Sequence, residues 1–340
     1  RISRIMPATI TPSRAVEKPL SEHHPVSVAP MMDWTDRACR FFHRLISPRA
    51  ILYTEMIHAQ AVLHNAARVL PFDAEESPIV LQLGGSNPET LARAAKIGQT
   101  YGYDAINLNC GCPSDRVQDG RFGACLMREP DLVAACVEAM SHAVSIPVSV
   151  KCRTGLDGAD DPAFLDRFVS AVKQAGCKTI ILHARTAMLK GLSPKENREI
   201  PPLRPDMAAA IKAAHPDLNV VLNGGLRTAE QTLEALRTFD GVMIGREAYH
   251  NPMCLAQIDS ALGYGPPPER ERIAHLMIPY IERRMHVDAI APHAVFRHML
   301  GLYAGMPGAA RWRRIVGDAP ATARCPPAET IRLALGKKSG

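Results

Sequence analysis

Residues 109–117 read NCGCPSDRV: two cysteines stand two positions apart, the second between Gly111 and Pro113, with Arg116 close behind. Either thiol could do chemistry, and their spacing alone does not say which. Polar groups recur in comparable runs elsewhere. In AINLNC, Ile106 and Leu108 alternate with Asn107 and Asn109; in PVSVKCR, Val148 and Val150 alternate with Ser149, Lys151 and Arg153; in TIILHAR, His183 and Arg185 share a face. A period of two sends the apolar set to one side of a strand and the polar set to the other.

The elements that must position these groups follow from the same runs. From Val26 onward, short β-rich stretches end near Ala29, Glu55, Gln82, Asn109, Lys151, His183, Asn223 and Ile244, with helical patterns such as ETLARAAKIGQTYG and PDLVAACVEAMSHAV between them. Eight alternating strand–helix units predict an α/β fold with a parallel sheet closed into a (β/α)8 TIM barrel. An open doubly wound sheet is disfavoured because no GxGxxG follows the first strand. In such a barrel the active site gathers polar groups at the carboxyl ends of the strands, and the loops after strands seven and eight commonly bind phosphate. Gly224 and Gly225 follow strand seven, and Gly245 and Arg246 follow strand eight. Glycine permits close backbone approach and arginine is a bidentate donor, so a phosphorylated cofactor or substrate is expected there. Lys151 and Gln82 would line the wall beside it. A lysine can stabilise the electron-rich edge of a reduced flavin and a glutamine can hydrogen-bond its ring, while a Schiff-base lysine is the competing reading.

The chain has 340 residues, of which 46% are hydrophobic and 22% charged, a composition able to bury a large core. No apolar run approaches the roughly 18 residues that a membrane span needs. Nine cysteines are scattered without a CxxC pair, which suggests neither a disulfide framework nor a metal site and fits a reducing, cytoplasmic setting. Residues 1–22 read as a flexible basic extension, 23–262 as the barrel, and 268–340, beyond the prolines of GYGPPPERER, as a small C-terminal helical domain. Residues 269–340 carry 12 Lys and Arg against 6 Asp and Glu, so the chain's net charge of +6 is concentrated there.

SVAPMMDWTDRACRFF, LYTEM, PIVLQLGGS, INLNCGCPSDRVQDGRFGACLM, VSVKCRTGLD, LHARTAMLKGLSPKENREIPPL, LNGGLRT and GVMIGREAYHNP, in this order from about residue 26 to about 315, together resemble the A-type subfamily of the tRNA-dihydrouridine synthases. The resemblance implies an FMN-containing barrel whose helical domain holds tRNA, and NADPH-dependent reduction of D-loop uridines, at positions 20 and 20a for this subfamily. By motif, the FMN contacts would be Ala29, Pro30, Met31, Gln82, Lys151, His183, Asn223, Gly224, Gly225, Gly245 and Arg246. The tRNA contacts would include Asn109, Lys195 and Arg198 near the pocket and, from RWRR in the tail, Arg311 and Arg313 beside Arg314. Thr186 and Met188 stand where the subfamily often has Lys and Trp, and Ala310 where it often has Arg.

The family's GCP motif aligns its cysteine with Cys112, which the resemblance makes the acid. The uracil C5=C6 bond is conjugated to a carbonyl, so hydride addition at C6 leaves an enolate that needs a proton at C5. A thiol with a reference pKa near 8.5 is mostly protonated at neutral pH and suits that task better than a carboxylate. Cys39, Cys125, Cys136, Cys177 and Cys254 read as small buried hydrophobes. A flavin barrel acting on a free pyrimidine such as dihydroorotate would share the phosphate loops and the lysine, but would not need a basic tail. Nothing in the sequence demands an obligate protein partner.

Overall fold

The computed structural model describes residues 24–114, 120–158 and 161–336. The extension read over 1–22 lies outside these residues, as does Arg116 of the cysteine motif.

Nine strands form one sheet: β1 (Val26–Val28), β2 (Leu52–Tyr53), β3 (Ile57–His58), β4 (Ile79–Gly84), β5 (Ala105–Cys110), β6 (Val148–Arg153), β7 (Thr179–His183), β8 (Asn219–Asn223) and β9 (Gly241–Ile244). Every pairing is parallel, in the order β1-β9-β8-β7-β6-β5-β4-β2, and β3 is a short addition along the end of β4. The sheet closes because Val28 N–H donates to the Ile51 carbonyl at 2.9 Å and Ile51 N–H to the Val26 carbonyl at 3.0 Å. Helices lie between the strands. The fold is therefore a (β/α)8 barrel followed by helices.

Local chemistry explains where the chain turns. Helix Pro88–Tyr101 starts at Asn87, whose side chain accepts from Thr90 N–H, and stops at Gly102, left-handed at φ 94°. Ile106, Leu108 and Val150 are fully buried with Leu91, Val133 and Val137 of the surrounding helices. The intervening amides, Lys151 and Arg153 point to the barrel interior, as the alternation predicts.

After residue 269 the described residues are helical: Arg270–Val287, His293–Phe296, Ala309–Val316, Ala319–Arg324 and Pro327–Ala334. Their apolar faces do not form a separate core. Tyr280, Phe296, Trp312 and Ile331 join one cluster with Val26, Val28 and Ile244 of the barrel and Phe42 of helix Arg37–Ile46. Ion pairs pin the same seam. Asp36 caps helix Arg37–Ile46 through Cys39 N–H and also accepts from Arg297 (2.8 Å) and His298 (3.0 Å). Burial works to raise the Asp36 carboxyl, but the His298 and Arg297 contacts win and hold it down at about 2. Asp73 likewise accepts from Arg37 at 2.6 Å and from Arg283 of the tail at 3.0 Å. Among the described residues, no helix is long and apolar enough to cross a membrane.

Candidate active site

Along β4, β5 and β6 a run of polar side chains, from Ser149 and Asn107 to Gln82 and Asn109, braces the barrel interior. Gln82 Nε2 donates to Asn107 Oδ1 at 2.8 Å, Asn109 Nδ2 to Gln82 Oε1 at 3.0 Å, and Asn107 Nδ2 to Ser149 Oγ at 2.9 Å. All four side chains are buried. Satisfied in this way, buried polar groups are rigid rather than costly.

Beside the amides stands a concentration of cations. Lys151 Nζ donates to Asn223 Oδ1 at 2.9 Å, and Asn223 Nδ2 to the Met243 carbonyl at 2.8 Å, so β6, β8 and β9 are tied through one lysine. Burial, and then Arg153, push the Lys151 ammonium down to about 7. Burial with Arg153, Lys151, Arg185 and Arg198 around it holds His183 well below the usual imidazole range. Arg185 and Arg198 are both lowered, by burial first and then by Arg246. Groups that depress one another's charge make a field that rewards an anion.

The glycine turns lie at the edge of this field. Gly224 and Gly225 have φ of 113° and 77°; a Cβ on Gly224 would stand 2.9 Å from the His183 ring, and one on Gly225 2.5 Å from Leu203. A side chain at either position is strained by the positive φ, and at Gly224 it would also press on the His183 ring. Gly245 is less constrained, since its Cβ would meet only Ala29, at 3.9 Å. Ala29 N–H donates to the Ile244 carbonyl at 2.8 Å, which brings Ala29–Met31 beside Gly245 and Arg246. Arg246 itself donates to Glu199 Oε1 at 2.7 Å and to the Arg198 carbonyl at 3.2 Å. Every predicted cofactor residue thus sits on one rim, from β1 through β9.

The two cysteines part company. Cys110 closes β5 on the helix side, fully buried, and burial pushes its thiol well up. Cys112 lies past the strand end and is half-buried. Asn109 Oδ1 accepts from both Gly111 N–H (3.1 Å) and Cys112 N–H (3.0 Å), and this turn takes the chain out of β5 before Cys112. Its sulfur acts on the charges of Lys151, Arg153 and Arg198. Of the other cysteines, Cys39, Cys136, Cys177 and Cys254 are buried as predicted; Cys125 is not, being half-buried with its sulfur donating to the Phe122 carbonyl at 3.2 Å. It falls on the two-turn 3-10 segment Gly123–Arg128, in which Gly123, Ala124, Leu126 and Met127 take the buried positions.

The model of the dihydrouridine synthase family matches residues 27–332 of this chain. The chain belongs to that family. It is 54% identical over 294 residues to the tRNA-dihydrouridine(20/20a) synthase of Xanthomonas axonopodis pv. citri, covering 86% of this chain and 88% of that protein. It is 55% identical over 294 residues to the protein of that name from Pseudomonas putida (85% and 87% covered), and 52% over 297 residues to the one from Vibrio cholerae (86% and 90%).

In this dihydrouridine synthase the predicted RNA contacts fall in two places. Lys195 is exposed and Arg198 half-buried on the turn that faces Arg246, whereas Arg311 and Arg313 are exposed on helix Ala309–Val316 of the tail. Asn109 is 8% exposed and its amide is engaged by Gln82 and the cysteine turn, so its evident work here is to shape that turn. Two residues carry more than the sequence suggested. Asn197, fully buried, accepts from Met188 N–H at 2.7 Å and donates to the carbonyls of Met188 and Leu192, holding the whole 188–199 loop. Glu199 is the carboxylate that meets Arg246. Both lie inside SPKENRE, but only their three-dimensional partners separate them from ordinary turn residues.

Proposed function

We propose that this dihydrouridine synthase reduces the C5=C6 bond of uridines 20 and 20a in the D-loop of tRNA, with FMN as bound cofactor and NADPH as reductant. The reading is carried by one juxtaposition: a glycine-lined, cation-rich cradle at the ends of β8 and β9 stands across the barrel mouth from Cys112. The 20/20a positions rest on the names of the relatives.

The residues fit a flavin mononucleotide. Gly224 and Gly225 carry no side chain on their positive-φ turn, so their backbone is open to close approach by a phosphate, Arg246 is a charge-assisted donor for it, and Lys151 and Gln82 offer polar contacts for a ring edge. Ala29, Pro30, Met31, His183, Asn223 and Gly245 complete the wall. When bound, FMN supplies the hydride for C6 of the uracil. Cys112 holds the proton for C5 on its sulfur, and donation completes the saturated bond with hydride and proton balanced. The Cys112 side chain interacts electrostatically with Lys151, Arg153 and Arg198. The base must leave its stack to reach Cys112, and Lys195 and Arg198 stand where the extruded nucleotide would enter.

The decisive assay is incubation with NADPH and unmodified tRNA, followed by nucleoside analysis; dihydrouridine at 20 and 20a is expected, and its formation only from free pyrimidines would overturn the reading. Purified protein should be yellow and release FMN on denaturation. Arg246→Ala should weaken FMN retention about tenfold or more, since it removes a charge-assisted donor worth roughly 1.5–3 kcal/mol. Unchanged affinity would move the phosphate elsewhere. Arg313→Ala should weaken tRNA binding and reduce the log–log salt slope by about one, with FMN content intact. Superimposable salt titrations of the two proteins would remove this helix from the RNA surface.

A further inference from the structure

Arg153 ends β6 with 4% exposure, and among the described residues no carboxylate pairs with it. A buried guanidinium ordinarily meets an acid. Here Nε donates to the Gly111 carbonyl at 3.0 Å and Nη1 to the Asn197 carbonyl at 3.0 Å. The two carbonyls belong to the loops that matter most: Gly111 precedes Cys112, and Asn197 anchors the 188–199 loop next to Arg198 and Glu199. The cysteine turn is then held on every side. Its N–H groups go to Asn109, the Cys112 carbonyl accepts from Ala124 N–H at 2.9 Å, and the Gly111 carbonyl goes to Arg153.

We propose that Arg153 is the positioning residue of the proton donor, a fork that fixes the cysteine turn against the RNA-facing 188–199 loop and so sets where the Cys112 sulfur stands relative to an extruded uracil. Resting on the reading of Cys112 as the acid, this assigns Arg153 neither to the flavin nor to the phosphate. The planar fork is the feature in use. Its two N–H groups reach two carbonyls from different elements at once, which a lysine's single ammonium centre on a flexible stem does not reproduce with the same rigidity. A misplacement of about 1 Å between donor and reacting atom is enough to cost about 100-fold in rate.

The test uses the flavin-loaded enzyme with two half-reactions followed separately: flavin reduction by NADPH, and flavin reoxidation by unmodified tRNA. Arg153→Gln and Arg153→Lys should both leave FMN content and NADPH-driven reduction at the wild-type level and keep the apparent KM for tRNA within about threefold. Both should slow tRNA-dependent reoxidation by about 100-fold, as a kcat effect. A Cys112→Ala/Arg153→Gln double variant should be no slower than Cys112→Ala alone, because Arg153 acts through Cys112. Additive losses in the double variant, loss of FMN in both single variants, or full activity of Arg153→Lys would each overturn the proposal. An active Cys112→Ala enzyme would instead remove the reading beneath it, which keeps the two failures apart.

Discussion

Cys112→Ala is expected to retain FMN and accept electrons from NADPH while dihydrouridine formation falls by about 10²–10⁴-fold, the usual range for a positioned acid. The structure makes the prediction specific. The Cys112 sulfur is half-buried beyond the β5 end, and its side chain interacts electrostatically with Lys151, Arg153 and Arg198. None of the residues assigned to the flavin depends on that sulfur, so cofactor content should not move. Cys110→Ala is the matched control: its sulfur faces the helices beside Cys152 and should be dispensable for turnover. A stopped reaction in Cys110→Ala with normal turnover in Cys112→Ala would reverse the assignment.

The choice between these two thiols also shows what was legible in the sequence. Period-two alternation correctly turned Asn107, Asn109, Ser149, Lys151 and Arg153 inward and Ile106 and Leu108 outward, because a paired strand leaves no other option. Extended two residues further, the same rule would put Cys112 on the helix side with Cys110. The rule has no hold there, because Asn109 Oδ1 captures the next N–H groups and ends the strand, and only the family's motif pointed to Cys112. Gly224 and Gly225 were legible for a related reason: both need a positive φ, and few other residues tolerate one. Asn197, Glu199 and the clamp made by Arg153 were not. Asn197 bonds main-chain groups of its own loop in a pattern that no regular periodicity marks, while Glu199 meets Arg246 just past β9 and Arg153 of β6 reaches carbonyls in two loops, meetings that no local spacing encodes. The tail was read as a separate helical unit, yet its apolar residues complete a cluster that begins at β1, which composition alone does not reveal.

Trp312→Ala is expected to cost about 3–5 kcal/mol of stability, the range for removing a large aromatic from a core. Trp312 is 1% exposed, lies 4.8 Å from the Tyr303 ring, and donates from Nε1 to the Met299 carbonyl at 2.7 Å, so truncation leaves both a cavity and an unpaired acceptor. The functional consequence follows from helix geometry. Trp312 and Val316, one turn apart, anchor the helix inward, and that anchoring is what presents Arg311, Arg313 and Arg314 to solvent on the other face. Loss of the anchor should therefore weaken tRNA binding more than Arg313→Ala does, while FMN content under native conditions stays unchanged, since a domain with roughly 5–15 kcal/mol of stability remains mostly folded. Because the Trp312 cluster runs continuously into Val26, Val28 and Ile244 of the barrel, denaturant should unfold the variant in one transition at lower concentration, not melt the tail ahead of the barrel. Denaturation followed in parallel by far-ultraviolet circular dichroism and by flavin release checks this. Two separated transitions would show that the seam between barrel and tail is weaker than its shared core implies, and an unchanged midpoint would show that Trp312 does not hold the arginine helix in place.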